Sequence, residues 1–222
     1  KLNNIGVYIA ADAGDASFYN AMIWLAGGRP FHTSSDGKTV TVDLKGDAGT
    51  RTFTEFWQRM IDEGHTVAIH GYSHDYATIY ASDDAFMENI YKLRDRLRAD
   101  FGYEATFIRF PGGTSNTISA NHCKGIMSRL VKRVEQEGFA YFDWNVDSGD
   151  ADGNTKPKDY ILSHVKSGLC QGRGNVVLMH DAGMKTTTAD ALPEILQYGL
   201  ANGYTFLPIT KDTVPVHHAT SN

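Results

Sequence analysis

Short apolar runs alternate with amphipathic stretches along nearly the whole chain, and few folds accept that order. The runs Ile5–Ala11, Thr39–Leu44, Thr66–His70, Ala105–Phe110, Ala140–Val146, Asn175–His180 and Tyr204–Ile209 read as strands. Between them lie helical patterns at residues 17–28, 50–64, 82–102, 119–138, 156–169 and 186–203. A threonine cap at Thr50 and a Gly64 stop are expected for the second of these, and a Ser82 cap with a Gly102 stop for the third. Pro157 suits a first helical turn. Strand after helix after strand implies parallel pairing through crossover helices, hence an α/β sheet or barrel.

That order has a functional corollary. Asp12, His70, Arg109, Asp147 and His180 each fall at or just past the C-terminal end of an expected strand. In parallel α/β folds this edge is where loops converge on a ligand.

Bulk composition narrows the field. The chain has 222 residues, 41% hydrophobic and 21% charged, which suits one domain, residues 1–222, with a substantial core. A net charge of −5 without a long basic run gives no footing for nucleic acid or an anionic membrane. No apolar stretch reaches the length of a membrane span. The abrupt start at Lys1 suggests a trimmed mature domain. Cys123 and Cys170 fit no metal pattern and are read as two free thiols, with a disulfide as the alternative. No GxSxG elbow is present, which sets aside a serine hydrolase.

The polar residues suggest chemistry. In "HGYSH", His70 and His74 stand four apart after a strand, where two imidazoles can face one ion. His65 precedes the strand and reads as a surface residue. Arg109 opens "RFPGG"; its guanidinium can grip a carboxylate, and the Pro111-Gly112-Gly113 turn lets backbone approach a ligand. "FDWNVDSGDAD" supplies Trp144, a flat wall suited to a sugar face, with Asp143, Asp147 and Asp150 nearby; Asp147 and Asp150 are expected to point inward. "VVLMHD" ends in His180 and Asp181, and a histidine backed by a carboxylate has the chemistry of a general acid. Taken singly, each has a plain reading: a surface or core histidine, a tight turn, a solvated acidic loop.

Together "HGYSH", "RFPGG", "WNVDSGD" and "LMHD" resemble the NodB-homology polysaccharide deacetylases, carbohydrate esterase family four, from about Gly64 to the C-terminal "GYTFLPITKDTVPVHH". "IRFPGGTSNTIS" and "YFDWNVDSGDA" are similar to peptidoglycan deacetylases in particular. The resemblance implies a distorted (β/α) barrel with parallel strands and fewer than eight repeats. It implies removal of N-acetyl groups from peptidoglycan or chitin-like polymers by metal-assisted attack of water, outside the cell or at the wall, by a monomer. It also implies that His70 and His74 hold a divalent metal, commonly zinc, and that Asp12 is the base, oriented by Arg109. His180 would be the acid, with Asp150 as its partner, and Trp144 and Leu178 would line the pocket.

The first motif departs from the pattern. Where the family has Thr-Phe-Asp-Asp-Gly, this chain has "IAADAGD", so Ala13 stands where a metal-ligand Asp is expected. "TVTVDLKGD" likewise stands where "ATFFVTG" is expected. Three outcomes follow: another oxygen, from Asp12, Asp15 or Asp75, completes the site; metal is held weakly or not at all; or the domain only binds carbohydrate.

Overall fold

A computed structural model describes residues 4–10, 28–29, 31–43, 46–153, 155–181 and 185–222. Asp12, Ala13, Asp15 and most of the helix expected over 17–28 lie outside the described residues.

The central sheet is a parallel set of four strands. β1 (Asn4–Ala10) lies between β7 (Asn175–His180) and β8 (Thr205–Phe206), and β6 (Val146–Asp147) flanks β7. The register sets Ala10 opposite His180 and Asp147 opposite Leu178, so these strands end at one edge. β4 (Phe107–Ile108) and β5 (Ala140–Tyr141) form a second parallel pair, joined to Ile69 by a single bridge at Ile108. Helices α1 (Ala48–Asp62), α2 (Tyr76–Ile79), α3 (Asp83–Phe101), α4 (Ile126–Gln136), α5 (Lys158–Gly168) and α6 (Thr186–Ala201) fill the connections. The result is the expected distorted (β/α) barrel, with strands shorter than the sequence suggests.

Burial follows the sequence periods. On β7, Val177 and Met179 face α5 and α6, packing against Ile161, Val165, Ala191 and Ile195. Because side chains alternate along a strand, Val176, Leu178 and His180 share the opposite face. Val176 joins Phe107, Phe142 and Ile209 in an inner cluster against which Trp144 packs. The helical stripe Phe86, Met87, Ile90, Leu93 of α3 meets Ile126, Met127, Leu130 and Val134 of α4 around Ile69, Ile108 and Tyr141.

Several expectations need correction. Residues 66–70 form no strand beyond the Ile69 bridge, because Val67 N–H donates to the Tyr103 phenol oxygen (3.0 Å) and so is lost to a ladder. The run 140–146 breaks in two. Phe142 N–H bonds Ile108, Asp143 N–H bonds the Val216 carbonyl at 2.7 Å, and Asn145 N–H bonds Val176, so the chain changes partners at Asp143. The expected helix 119–138 divides into a 3-10 turn, Ile118–Asn121, and α4, because Gly125 takes φ +71°. α1 is capped by Asp47, which accepts Thr50 N–H at 2.7 Å, rather than by Thr50. The expected strand near Thr39 is β3 (Val40–Val42), which pairs antiparallel with β2 (Phe31–Thr33) as an exposed hairpin apart from the central sheet.

Candidate active site

His70 follows directly on the Ile69 bridge, and Arg109 follows β4 on the other side of it, with Arg109 N–H donating to the Ile69 carbonyl at 2.9 Å. This lock puts the two side chains together. His70 Nδ1–H donates to the Arg109 carbonyl (2.7 Å), since a carbonyl can only accept. Nε2 is therefore the bare nitrogen, and Arg109 Nη2 donates to it at 2.9 Å. Both residues are buried. Burial first, and the Arg109 charge second, hold His70 well below the ordinary imidazole range, so the ring is neutral at pH 7. The His74 and His180 charges act in the same direction, which brings all three imidazoles into one electrostatic neighbourhood.

The turn between the histidines depends on Gly71. Its φ is +120°, and a Cβ there would come within 2.9 Å of both Asn89 Oδ1 and the Ser73 carbonyl. His74 is exposed, with its ring centroid 5.1 Å from that of His70. Two imidazoles on one tetrahedral ion, with nitrogen–metal bonds of about 2.0–2.1 Å, would have ring centres about 5 Å apart. A bare Nε2 opposite an Nδ1–H held by a backbone carbonyl is also the arrangement of metal-bound histidines. The imidazole pair thus fits a divalent metal, with the Arg109 fork on the same lone pair. Asp75 is occupied elsewhere, as the cap of α2, where it accepts from Ala77 N–H (3.2 Å) and Thr78 Oγ1–H (2.6 Å). Among the described residues no group of three metal-ligating side chains gathers.

On β7, His180 Nδ1–H donates to Asp150 Oδ1 at 2.7 Å, while His180 backbone N–H donates to Oδ2 at 2.7 Å. Asp150 is 1% exposed. α6 adds two contacts that sequence reasoning missed: Thr188 Oγ1 donates to Oδ2 at 3.0 Å, and Lys185 Nζ, at the helix cap, to the Asp150 carbonyl at 2.5 Å. Burial pushes the Asp150 carboxyl up, but the His180 bonds and charge, with Thr188, outweigh it and leave it below the usual range. The His180 side chain stays partly open, 28% exposed, with its second nitrogen left for chemistry.

The acidic loop sorts differently from expectation. Asp147 is exposed, bonding Trp144 Nε1–H (3.1 Å) and Gly149 N–H (2.8 Å). Asp143 is buried as Asp150 is, and it accepts from Thr114 N–H (2.9 Å), Thr114 Oγ1–H (2.5 Å) and His218 N–H (2.8 Å). That hub ties the Pro111–Gly113 turn to the C-terminal segment. Pro111 is fixed by the Tyr80 hydroxyl (2.7 Å), Gly112 is exposed at the turn, and Trp144 packs so closely on Gly113 that a Cβ there would lie 2.8 Å from the indole. Leu178 is buried on the His180 face of β7. His65 is exposed, and both cysteines are free thiols.

Residues 38–127 match the polysaccharide deacetylase family model. The catalytic domain of a peptidoglycan N-acetylglucosamine deacetylase from Eubacterium rectale superposes with a TM-score of 0.75 at 34% identity, covering 98% of this chain and 94% of that one. The chain belongs to the polysaccharide deacetylases. This is the NodB, or carbohydrate esterase family four, group. Among curated relatives of this deacetylase-family chain, the putative polysaccharide deacetylase YheN of Bacillus subtilis is 28% identical over 74% of the chain and 56% of its own length. A peptidoglycan-N-acetylglucosamine deacetylase of Bacillus cereus is 25% identical over 72% and 55%. The chain therefore spans about half the length of these curated relatives. No described helix is long and apolar enough to cross a membrane.

Proposed function

We propose that this chain, as a single domain over residues 1–222, hydrolyses N-acetyl groups of amino-sugar polymers, peptidoglycan ahead of chitin-like chains. It does so as a monomer outside the cell or at the wall. The observation that carries the reading is the His180–Asp150 pair, held at 2.7 Å at the end of β7.

His70 through Nε2, together with His74, would hold a divalent ion, with zinc expected. When bound, it would supply a polarised acetamide carbonyl and a water of lowered pKa. The protein does the rest. Asp12, the base that the family motif implies, takes the proton of the attacking water. Asp150 accepts from His180 Nδ1–H and steadies the imidazolium form, whose Nε2–H delivers its proton to the amide nitrogen as the C–N bond breaks, leaving the neutral ring. Acetate and a free amino sugar leave. Trp144 and Leu178 shield the acetyl methyl and sugar face from water, and Arg109 holds His70 in its tautomer.

Acetate release from peptidoglycan and from chitin oligomers, with zinc or cobalt added, tests this. The wild-type chain should release acetate, and His180→Ala should lower turnover by about 10²–10⁴-fold. No release by the wild type, with polymer binding unchanged in His180→Ala, would make the chain a carbohydrate-binding domain.

A further inference from the structure

His70 offers one lone pair, and in this fold it is not idle. Arg109 is anchored beside it three times over: Arg109 N–H to the Ile69 carbonyl (2.9 Å), His70 Nδ1–H to the Arg109 carbonyl (2.7 Å), and Arg109 Nη2 to His70 Nε2 (2.9 Å). The first contact is a backbone bond of the bridge and the second ties the His70 ring to the Arg109 carbonyl, so the Arg109 backbone stays alongside the ring wherever its guanidinium points. The third puts a permanent cation on the atom through which His70 would ligate. A guanidinium does not deprotonate and cannot accept a hydrogen bond, so it and a metal ion exclude one another at Nε2. They also repel one another over a few ångströms in a buried site, where screening is weak.

We infer that Arg109 is a built-in cation that competes with the metal for His70 Nε2, so that metal affinity in this chain is set by displacing the guanidinium as well as by the ligands. The inference rests on His70 being a metal ligand, but not on the reaction. Metal entry swings Nη2 away while the backbone anchors stay in place. With the guanidinium in place, neither nitrogen of the neutral imidazole is left unsatisfied. The chain would bind divalent ions more weakly than its histidine pair alone would allow.

Zinc chloride titrated into the full chain, first stripped with chelator, against a chromogenic competitor gives the dissociation constant. Arg109→Met should bind zinc about tenfold or more tightly than wild type. The double variant Arg109→Met with His70→Ala should lose that gain. Equal or weaker binding by Arg109→Met, or no binding by either form, overturns the inference. Should Arg109→Met fail to fold, the wild type itself decides. In side-chain NMR spectra, zinc must move the His70 Nε2 and Arg109 guanidinium signals together; a His70 response with Arg109 unmoved overturns it. Acetate release is not read, so a chain that binds zinc as described yet leaves acetylated polymers intact would defeat the proposed function alone.

Discussion

Asp150 shows how much one buried carboxylate organises. Its two oxygens accept three donors, from His180 Nδ1, His180 N and Thr188 Oγ1, and its carbonyl accepts a fourth from Lys185. Burial alone would favour the neutral acid, but these donors favour the anion and prevail. A carboxyl held below its unfolded value stabilises the fold above the ordinary carboxylate pKa of about 3.9, and loses that contribution as pH falls through the lower folded value. Asp150→Asn should therefore reduce unfolding free energy at pH 7 by about 1–3 kcal/mol in urea titrations. The gap between wild type and variant should narrow below about pH 4, as the wild-type carboxyl protonates. A gap that widened on acidification would contradict the sign. Asp150 was legible because "SGDAD" and "LMHD" stand out in a sequence, whereas Thr188 was not. A threonine in the first turn of a helix reads as a solvent-facing residue, and only the packing of α6 against the loop after β6 turns it onto the carboxylate. The same limit hid Asp143. Three aspartates within eight residues are chemically equivalent on paper, and Asp143 is singled out by Thr114 and by His218, 75 residues away.

At the scale of elements, legibility followed local chemistry. α3 was readable end to end because its signals are local: Ser82 Oγ accepts Ala85 N–H (3.1 Å), Asp83 and Asp84 suit the positive end of the dipole, and Gly102 closes it at φ +62°. Replacing Ser82 by Ala leaves Ala85 N–H without that acceptor and should cost about 1 kcal/mol, measured as a lower urea midpoint at unchanged slope. Ser82→Asp should retain most of the stability. The strands were overestimated for the opposite reason. Apolar runs such as Ala140–Val146 predict burial, but ladder length depends on which distant backbone is in reach. At Asp143 it is Val216 rather than either neighbouring strand. The β2–β3 hairpin shows the same dependence: its alternation predicts a strand and says nothing of its partner.

The whole molecule adds a constraint that no single element carries. The segment after Ile209 runs back across the strand-tip edge and is tied down at several points. Asp143 N–H bonds Val216, His218 N–H bonds Asp143, and His218 bonds the Trp144 carbonyl at 2.5 Å and Ser115 Oγ at 3.0 Å. His217 stacks on Tyr141 with centroids 3.8 Å apart, and Asn222 accepts from Gly125 N–H and Ser128 N–H at the start of α4. Trp144 and the Pro111–Asn116 turn, both candidate pocket walls, are thus held by residues some 75 to 100 positions further along the chain. Ending the chain after Val216 would leave the Asp143 carboxylate short of one donor and Trp144 without its His218 neighbour. Stability should fall by about 1–3 kcal/mol, the cost of leaving a buried hydrogen-bonding group unsatisfied. The loss should also be local before it is global. Hydrogen exchange at Thr114 N–H should quicken and Trp144 fluorescence should shift toward that of a solvated indole, while the amides of α3 keep their protection. Removing Asn222 alone, which bonds only near α4 and Ser119, should leave the Trp144 signal where it is. If Thr114 and Trp144 were unchanged in the longer truncation, the walls of the pocket would owe their position to the barrel alone.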